Sequence, residues 1–199
     1  VNSGALSVTG AAITLNNDIT TTGSQSYTGP VSLANSITLD SGSSGAVSFS
    51  STVNSANSTA RDLNISTGSG DVTFTGAVGN TYALGAIAID STGTTTFGST
   101  VNAASLTTNV GGTTSLGGNV TTTGAQTYND AVVLTGDVTL DADSIATLGT
   151  IASSNYNLTM VVDNLSLGAA VNGGSGIITL KPHAVSRSIG LGDAATGDL

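Results

Sequence analysis

The chain has 199 residues and a formal net charge of −9 at neutral pH, from 12 acidic residues set against three Lys and Arg. Three scattered cations cannot supply the clustered positive charge that phosphate backbones and anionic lipid surfaces require, so nucleic acid and electrostatic docking on membranes are argued against. No apolar run approaches the about 18 residues of a membrane-spanning helix, and no membrane insertion is expected.

Ser and Thr make up 60 of the 199 residues and Gly another 27. Every acidic residue is Asp; there is no Glu and no Cys. Glu, Lys, Arg and Met, the straight-chain helix formers, are nearly absent, while Val, Ile, Thr, Gly, Asn and Asp abound. That mix suits short strands and tight turns. Disordered chains pair high polarity with low hydrophobicity, whereas 38% of these residues are hydrophobic and mean hydropathy is +0.26. A core that grows with every added repeat needs no disulfides.

Along the chain, Leu6-Ser7-Val8 and Ile13-Thr14-Leu15 alternate apolar and polar residues, the period of a half-buried strand. The segment 19–40 follows, containing Gln25-Ser26-Tyr27 and ending on Ile37-Thr38-Leu39-Asp40. Val47-Ser48-Phe49 then leads through a polar corner to Val53. The same pattern returns at Val72–Val78 around Phe74, at Thr95–Val101 around Phe97, at Thr114–Val120 around Leu116, and at Leu165–Val171. Between these copies lie Leu63 and Ile65, and Ile87 and Ile89, each pair on one strand face. The anchors Phe49, Phe74, Phe97 and Leu116 stand 25, 23 and 19 residues apart. Segment 120–141 matches 19–40 without gaps, with 11 of 22 positions identical at an offset of 101 residues. Val138-Thr139-Leu140, Ile178-Thr179-Leu180 and Ile189–Asp193 repeat the alternation toward the end.

A strand-and-turn repeat of about 20–25 residues marks a β-solenoid, in which each unit buries its apolar face by stacking on its neighbours. The expected fold is all-β: a parallel β-helix of roughly nine coils at ~22 residues per coil, giving a rod about 40–45 Å long. Phe49, Phe74 and Phe97 should lie inside, stacked or nearly stacked across successive coils, with Leu116, Val53, Val78, Val101 and Val120 in the same core. One continuous solenoid over 1–199 is expected, with the duplication 19–40/120–141 inside it. Both ends read as ordinary coil sequence, so the chain is expected to be a segment of a longer protein or fibre whose coils meet other copies or neighbouring repeats end to end.

The chemistry-bearing inventory is thin. His183 is the only His and sits in a loop-like Lys181-Pro182-His183. Gly68-Ser69-Gly70 and Gly173–Gly176 are strand-to-strand turns, with no strand–turn–helix setting for a nucleophile. Polysaccharide-cleaving β-helices place carboxylates and cations in a cleft with aromatic platforms, and this chain has no Trp and three cations. No enzymatic activity, catalytic residue or cofactor is expected. Asp137, Asp141 and Asp143 form a weak candidate Ca²⁺ site; the glycine-rich repeat of Ca²⁺-binding β-rolls is absent, and a solvated acidic turn is the preferred reading. The runs Thr20–Thr22, Thr94–Thr96 and Thr121–Thr123 do not recur once per coil, as an ice-binding face would. Asn57, Asn64, Asn119, Asn157 and Asn164 open glycosylation sequons at the frequency that chance gives so Ser/Thr-rich a chain. Tyr27 and Tyr128, equivalent in the duplication, read as packing or corner positions.

Segments 121–134 (Thr-Thr-Thr-Gly-Ala-Gln-Thr-Tyr-Asn-Asp-Ala-Val-Val-Leu) and 177–192, with Ile177-Ile178-Thr179-Leu180-Lys181-Pro182 and Ser186-Arg187-Ser188-Ile189-Gly190-Leu191-Gly192, are similar to repeats of the filamentous-haemagglutinin-like large bacterial surface adhesins of the two-partner (type V) secretion kind. The resemblance spans the chain and lies in repeat style and composition. It implies a right-handed parallel β-helix, export in an unfolded state, an extracellular or cell-surface location, and a role in adhesion, biofilm or extracellular filaments. Surface glycans would be possible partners. A β-helical carbohydrate-binding or carbohydrate-active protein is the alternative. A cleft with convergent Asp and Tyr would favour that alternative, and a smooth Ser/Thr/Asn surface would favour the shaft of an adhesin.

Overall fold

The computed structural model describes residues 2–147, 149–183 and 186. The terminal coil expected at Ile189–Asp193, and residues 187–192 of the adhesin-like segment, lie outside the described residues. Among the described residues there is no helix, and every strand pairing is parallel: the chain is a β-solenoid of about nine turns.

Two strand rows run the length of the stack, and a third lines the early coils. A long sheet starts at Asn2–Ser3 and Ile19–Thr21 and ends at Ile178–Lys181. A second sheet of nine strands, one per coil, runs from Leu6–Thr9 to Val171–Asn172. A third, of three strands (Ile13–Leu15, Val31–Leu33 and Val53–Ser55), closes the early coils. Its inward position continues as parallel bridges from Val53 to Val78 and from Val78 to Val101. Beyond that point the third row merges with the long sheet, so later coils hold fewer but longer strands, such as Val138–Thr147 and Leu158–Leu167.

Parallel pairing in register stacks each inward side chain on its equivalent one coil away, about 4.8 Å along the rod. The second sheet carries the stack Val8, Tyr27, Phe49, Phe74, Phe97, Leu116, Leu134. Its four rings lie nearly parallel, with centroids 5.1, 4.9 and 5.1 Å apart and interplanar angles of 12°, 7° and 3°. Val31, Val53, Val78, Val101, Val120, Leu140 and Met160 form another stack, all buried. Ile37, Leu63, Ile87 and Leu106 form a third. A single core runs from Ile13 to Val162.

The repeat copy at Leu165 departs from this order. By sequence it aligns with the phenylalanine stack, yet Leu165–Leu167 pairs with Ile145–Thr147 on the long sheet, and its Val171 pairs with Ile151 of the second sheet. Strand Leu158–Leu167 carries both the valine-stack position Met160 and the long-sheet position Leu165, so the pattern arrives one face early.

The duplication is displaced in the same sense. Segment 19–40 visits the long sheet, the second sheet (Gln25–Thr28), the third sheet (Val31–Leu33) and the long sheet again (Ile37–Asp40). Segment 120–141 places Val120 on the valine stack, Ala125–Tyr128 on the long sheet, Ala131–Leu134 on the second sheet and Leu140 on the valine stack. Every element of the second copy therefore sits one face earlier, and the offset of 101 residues is one face short of five full coils.

Phe74 is fully buried between Phe49 and Phe97. Phe74→Ala opens a ring-sized void in a stack that parallel pairing prevents from collapsing, and is expected to cost about 3–5 kcal/mol. Denaturant titration checks this, and an unchanged midpoint would mean that the ring is not a core element.

Candidate functional site

The Gln-x-Tyr unit builds the same buried polar cluster on two different faces. Gln25 and Gln126 are 0% exposed, a rare state for Gln that demands full hydrogen bonding. Gln25 Nε2 donates to the carbonyls of Ile19 (3.2 Å) and Asp40 (2.8 Å), and Tyr27 Oη donates to Gln25 Oε1 (2.8 Å). Gln126 repeats this with Val120 and Asp141 (3.0 Å each), and Tyr128 with Gln126 Oε1 (3.1 Å). The amide thus ties a corner of its own coil to the next coil, while the tyrosine caps the amide oxygen. Burial holds both tyrosine hydroxyls far above their usual pKa range, aided at Tyr128 by the charge of Asp130. These tyrosines are packing elements and present no platform to a ligand. The pair of matching Gln-x-Tyr triplets was the sequence signal for this cluster; the buried role of the glutamine could not be read without the fold.

Asp130 stands where the first copy has Gly29. Gly29 adopts φ +129° at a corner where a Cβ would press on the Gly10 carbonyl, a backbone that favours glycine. Asp130, at a different corner, is 5% exposed, and its Oδ1 accepts from Thr108 Oγ1 (3.0 Å) and Thr114 Oγ1 (2.8 Å) of the preceding coil. Burial raises its carboxyl above the ordinary range, against the pull of the two threonine hydrogen bonds.

The candidate Ca²⁺ residues serve separate ends. Asp137 Oδ1 accepts from the backbone N–H of Asn157 one coil on (2.8 Å), and its Oδ2 from Asn157 Nδ2 (3.1 Å). Asp141 lies 3.4 Å from His183 Nε2, and Asp143 is exposed on the same strand. Among the described residues no three His, Cys, Asp or Glu side chains are grouped to hold a metal ion. His183 is clasped across two coils: its N–H donates to Asp163 Oδ1 (3.1 Å), and its Nε2 lies 2.9 Å from the Ala142 carbonyl.

The contact made by Asp137 is one case of a rule. Asp18 accepts from the Thr38 N–H, Asp62 from Ala86, Asp71 from Thr94, and Asn119 from Thr139, each at 2.7–2.8 Å and one coil apart. A one-methylene carboxylate or carboxamide just before a strand staples the corner above it, satisfying a backbone donor where the sheet ladder is interrupted.

The outer face of the long sheet carries a groove of about 370 Å³. It is lined by Thr38, Asn64, Ala88, Asp90, Thr107 and Asn109, among others, with no tyrosine. Comparison of the chain with protein families, curated proteins and solved structures gives no match.

Replacing Gln126 with Leu strands the Tyr128 hydroxyl and two carbonyls in the core. At about 1–3 kcal/mol for a buried group left unpaired, the loss should be severe, and Tyr128→Phe in the same chain should recover part of it. A double-mutant cycle by chemical denaturation reads the coupling; strictly additive losses would contradict the cluster.

Asp130 sets a pH dependence of definite sign. A carboxyl with a raised folded pKa contributes stability below its unfolded pKa and loses it as pH rises through the folded value. Asp130→Asn keeps an oxygen acceptor for both threonines and cannot ionise. The variant should melt above the wild type at pH 7, with the gain vanishing toward about pH 3. Equal shifts at both pH values would rule this out.

Proposed function

We propose that this chain is a non-enzymatic segment of an extracellular bacterial rod: the shaft of a surface adhesin or a subunit of an extracellular filament. The observation that carries this reading is the uniform stack. One core runs unbroken through the coils, and corner Asp and Asn residues such as Asp18, Asn119 and Asp137 bond to the next coil. Such a structure transmits length and stiffness rather than enclosing a reaction. The burial of Tyr27 and Tyr128 and, among the described residues, the dispersed carboxylates also favour a shaft over a cleft with convergent acids and aromatic platforms. Among the described residues, strand Leu6–Thr9 pairs only with Gln25–Thr28, an edge of the kind on which a second copy could add a strand to the same ladder.

An antibody against the segment should label intact cells that express the protein, without permeabilisation. Labelling only after permeabilisation would defeat the extracellular reading. Turnover of a polysaccharide that a single Asp substitution abolishes would defeat the non-enzymatic one.

A further inference from the structure

The shaft reading makes no use of the groove on the long sheet. It crosses successive coils. Thr38, Asn64, Ala88 and Thr107 are consecutive members of one outward row, paired strand to strand. Ser66 and Asp90 form the adjacent outward row, and Asn109 and Asn129 continue along the flank. Ile65 and Ile89 also line the groove, but their side chains are buried inward, so it is their backbone that faces it. Ala88 has a methyl where its neighbours in the row carry amide or hydroxyl groups. That lowers the floor at the centre and leaves an apolar patch between polar rungs.

We propose that this groove binds an uncharged, unbranched polysaccharide lying along the rod axis. Hydroxyl and carboxamide groups repeat once per coil, at about 4.8 Å. That spacing is close to the rise per sugar of an extended β-linked chain, so successive sugars meet successive rungs. The exposed Asn64 and Thr107 offer donors and acceptors to sugar hydroxyls on either side of Ala88, whose methyl receives the apolar face of a ring. The volume falls within the about 300–1,000 Å³ of small-ligand sites. The charge of the groove selects against acidic polymers. No cation lines it, and Asp90, its one carboxylate, already accepts from Asn109 Nδ2 at 2.8 Å.

Native gel electrophoresis through soluble polysaccharides tests this on the whole chain, whose negative charge gives it mobility. The probes are the neutral, essentially linear mixed-linkage β-glucan, hydroxyethyl cellulose and glucomannan, with polygalacturonate as the acidic control. At least one neutral polymer should retard the protein, and polygalacturonate should not. Ala88→Arg fills the floor and should abolish retardation. Asn64→Ala, at an exposed position, should weaken it about three- to tenfold, the worth of one hydrogen bond. Thermal melts verify that both variants fold, and if Ala88→Arg is destabilised, Asn64→Ala alone decides. No retardation by any neutral polymer, retardation that the folded variants leave unchanged, or retardation by polygalacturonate alone would each overturn the proposal. The shaft reading would stand in all three cases.

Discussion

Parallel in-register pairing between coils is the constraint on which everything else rests. No coil can bury its own apolar residues, and pairing fixes which residue of the next coil covers them. Through the middle coils like stacks on like, Phe49 on Phe74 on Phe97 and Val53 on Val78 on Val101, since a mismatch in volume at one rung is felt by the rungs on both sides. The same pairing leaves coil length free. Phe49 to Phe74 takes 25 residues and Phe97 to Leu116 takes 19, yet both pairs are in register. The surplus is taken up in corners such as the exposed loop 56–60.

The coil spacing also accounts for the odd acid composition. A side chain that must reach from one corner to a backbone N–H a single rung away needs one methylene, as in Asp and Asn. Glu would overshoot or buckle and would lose more rotamer entropy on ordering. Asp18, Asp62, Asp71 and Asp137 all hold this position, and Asn119 and Asn157 substitute for them without the charge. The excess of Asp that gives the chain its charge of −9 is thus in good part a device of coil stacking.

Much of this was legible in the residues. The Phe49–Phe74–Phe97 stack, with Leu116, followed from motif spacing, since copies of one pattern set about one coil apart come into register when no face is skipped between them. Three features were not legible. The face occupied by Leu165–Leu167 depends on how many corners intervene, and corners made of Ser, Thr and Gly look the same in sequence as strand ends. Asp137, Asp141 and Asp143 are close in sequence, but their roles depend on residues about 20 and 40 positions away, Asn157 and His183. The groove is a property of neighbouring outward rows, and no single strand carries a sign of it.

The displaced duplication shows how local the folding code is. Gln25 and Gln126 make matching bonds to their own module although one lies on the second sheet and the other on the long sheet. The unit carries its corner, its amide and its tyrosine cap within about 20 residues, so it needs from its neighbours only a strand to pair with. Where the new face does differ, the sequence has changed: Gly29 meets a close carbonyl and stays small, whereas Asp130 meets two threonine hydroxyls and becomes their acceptor. Inward positions are held by stacking on both sides, and corners by the staples above them. The outward rows of the long sheet answer to neither, so a residue such as Ala88 can be exchanged there without disturbing a rung, and a surface for recognition can arise on a rod whose interior is already fully committed to stacking.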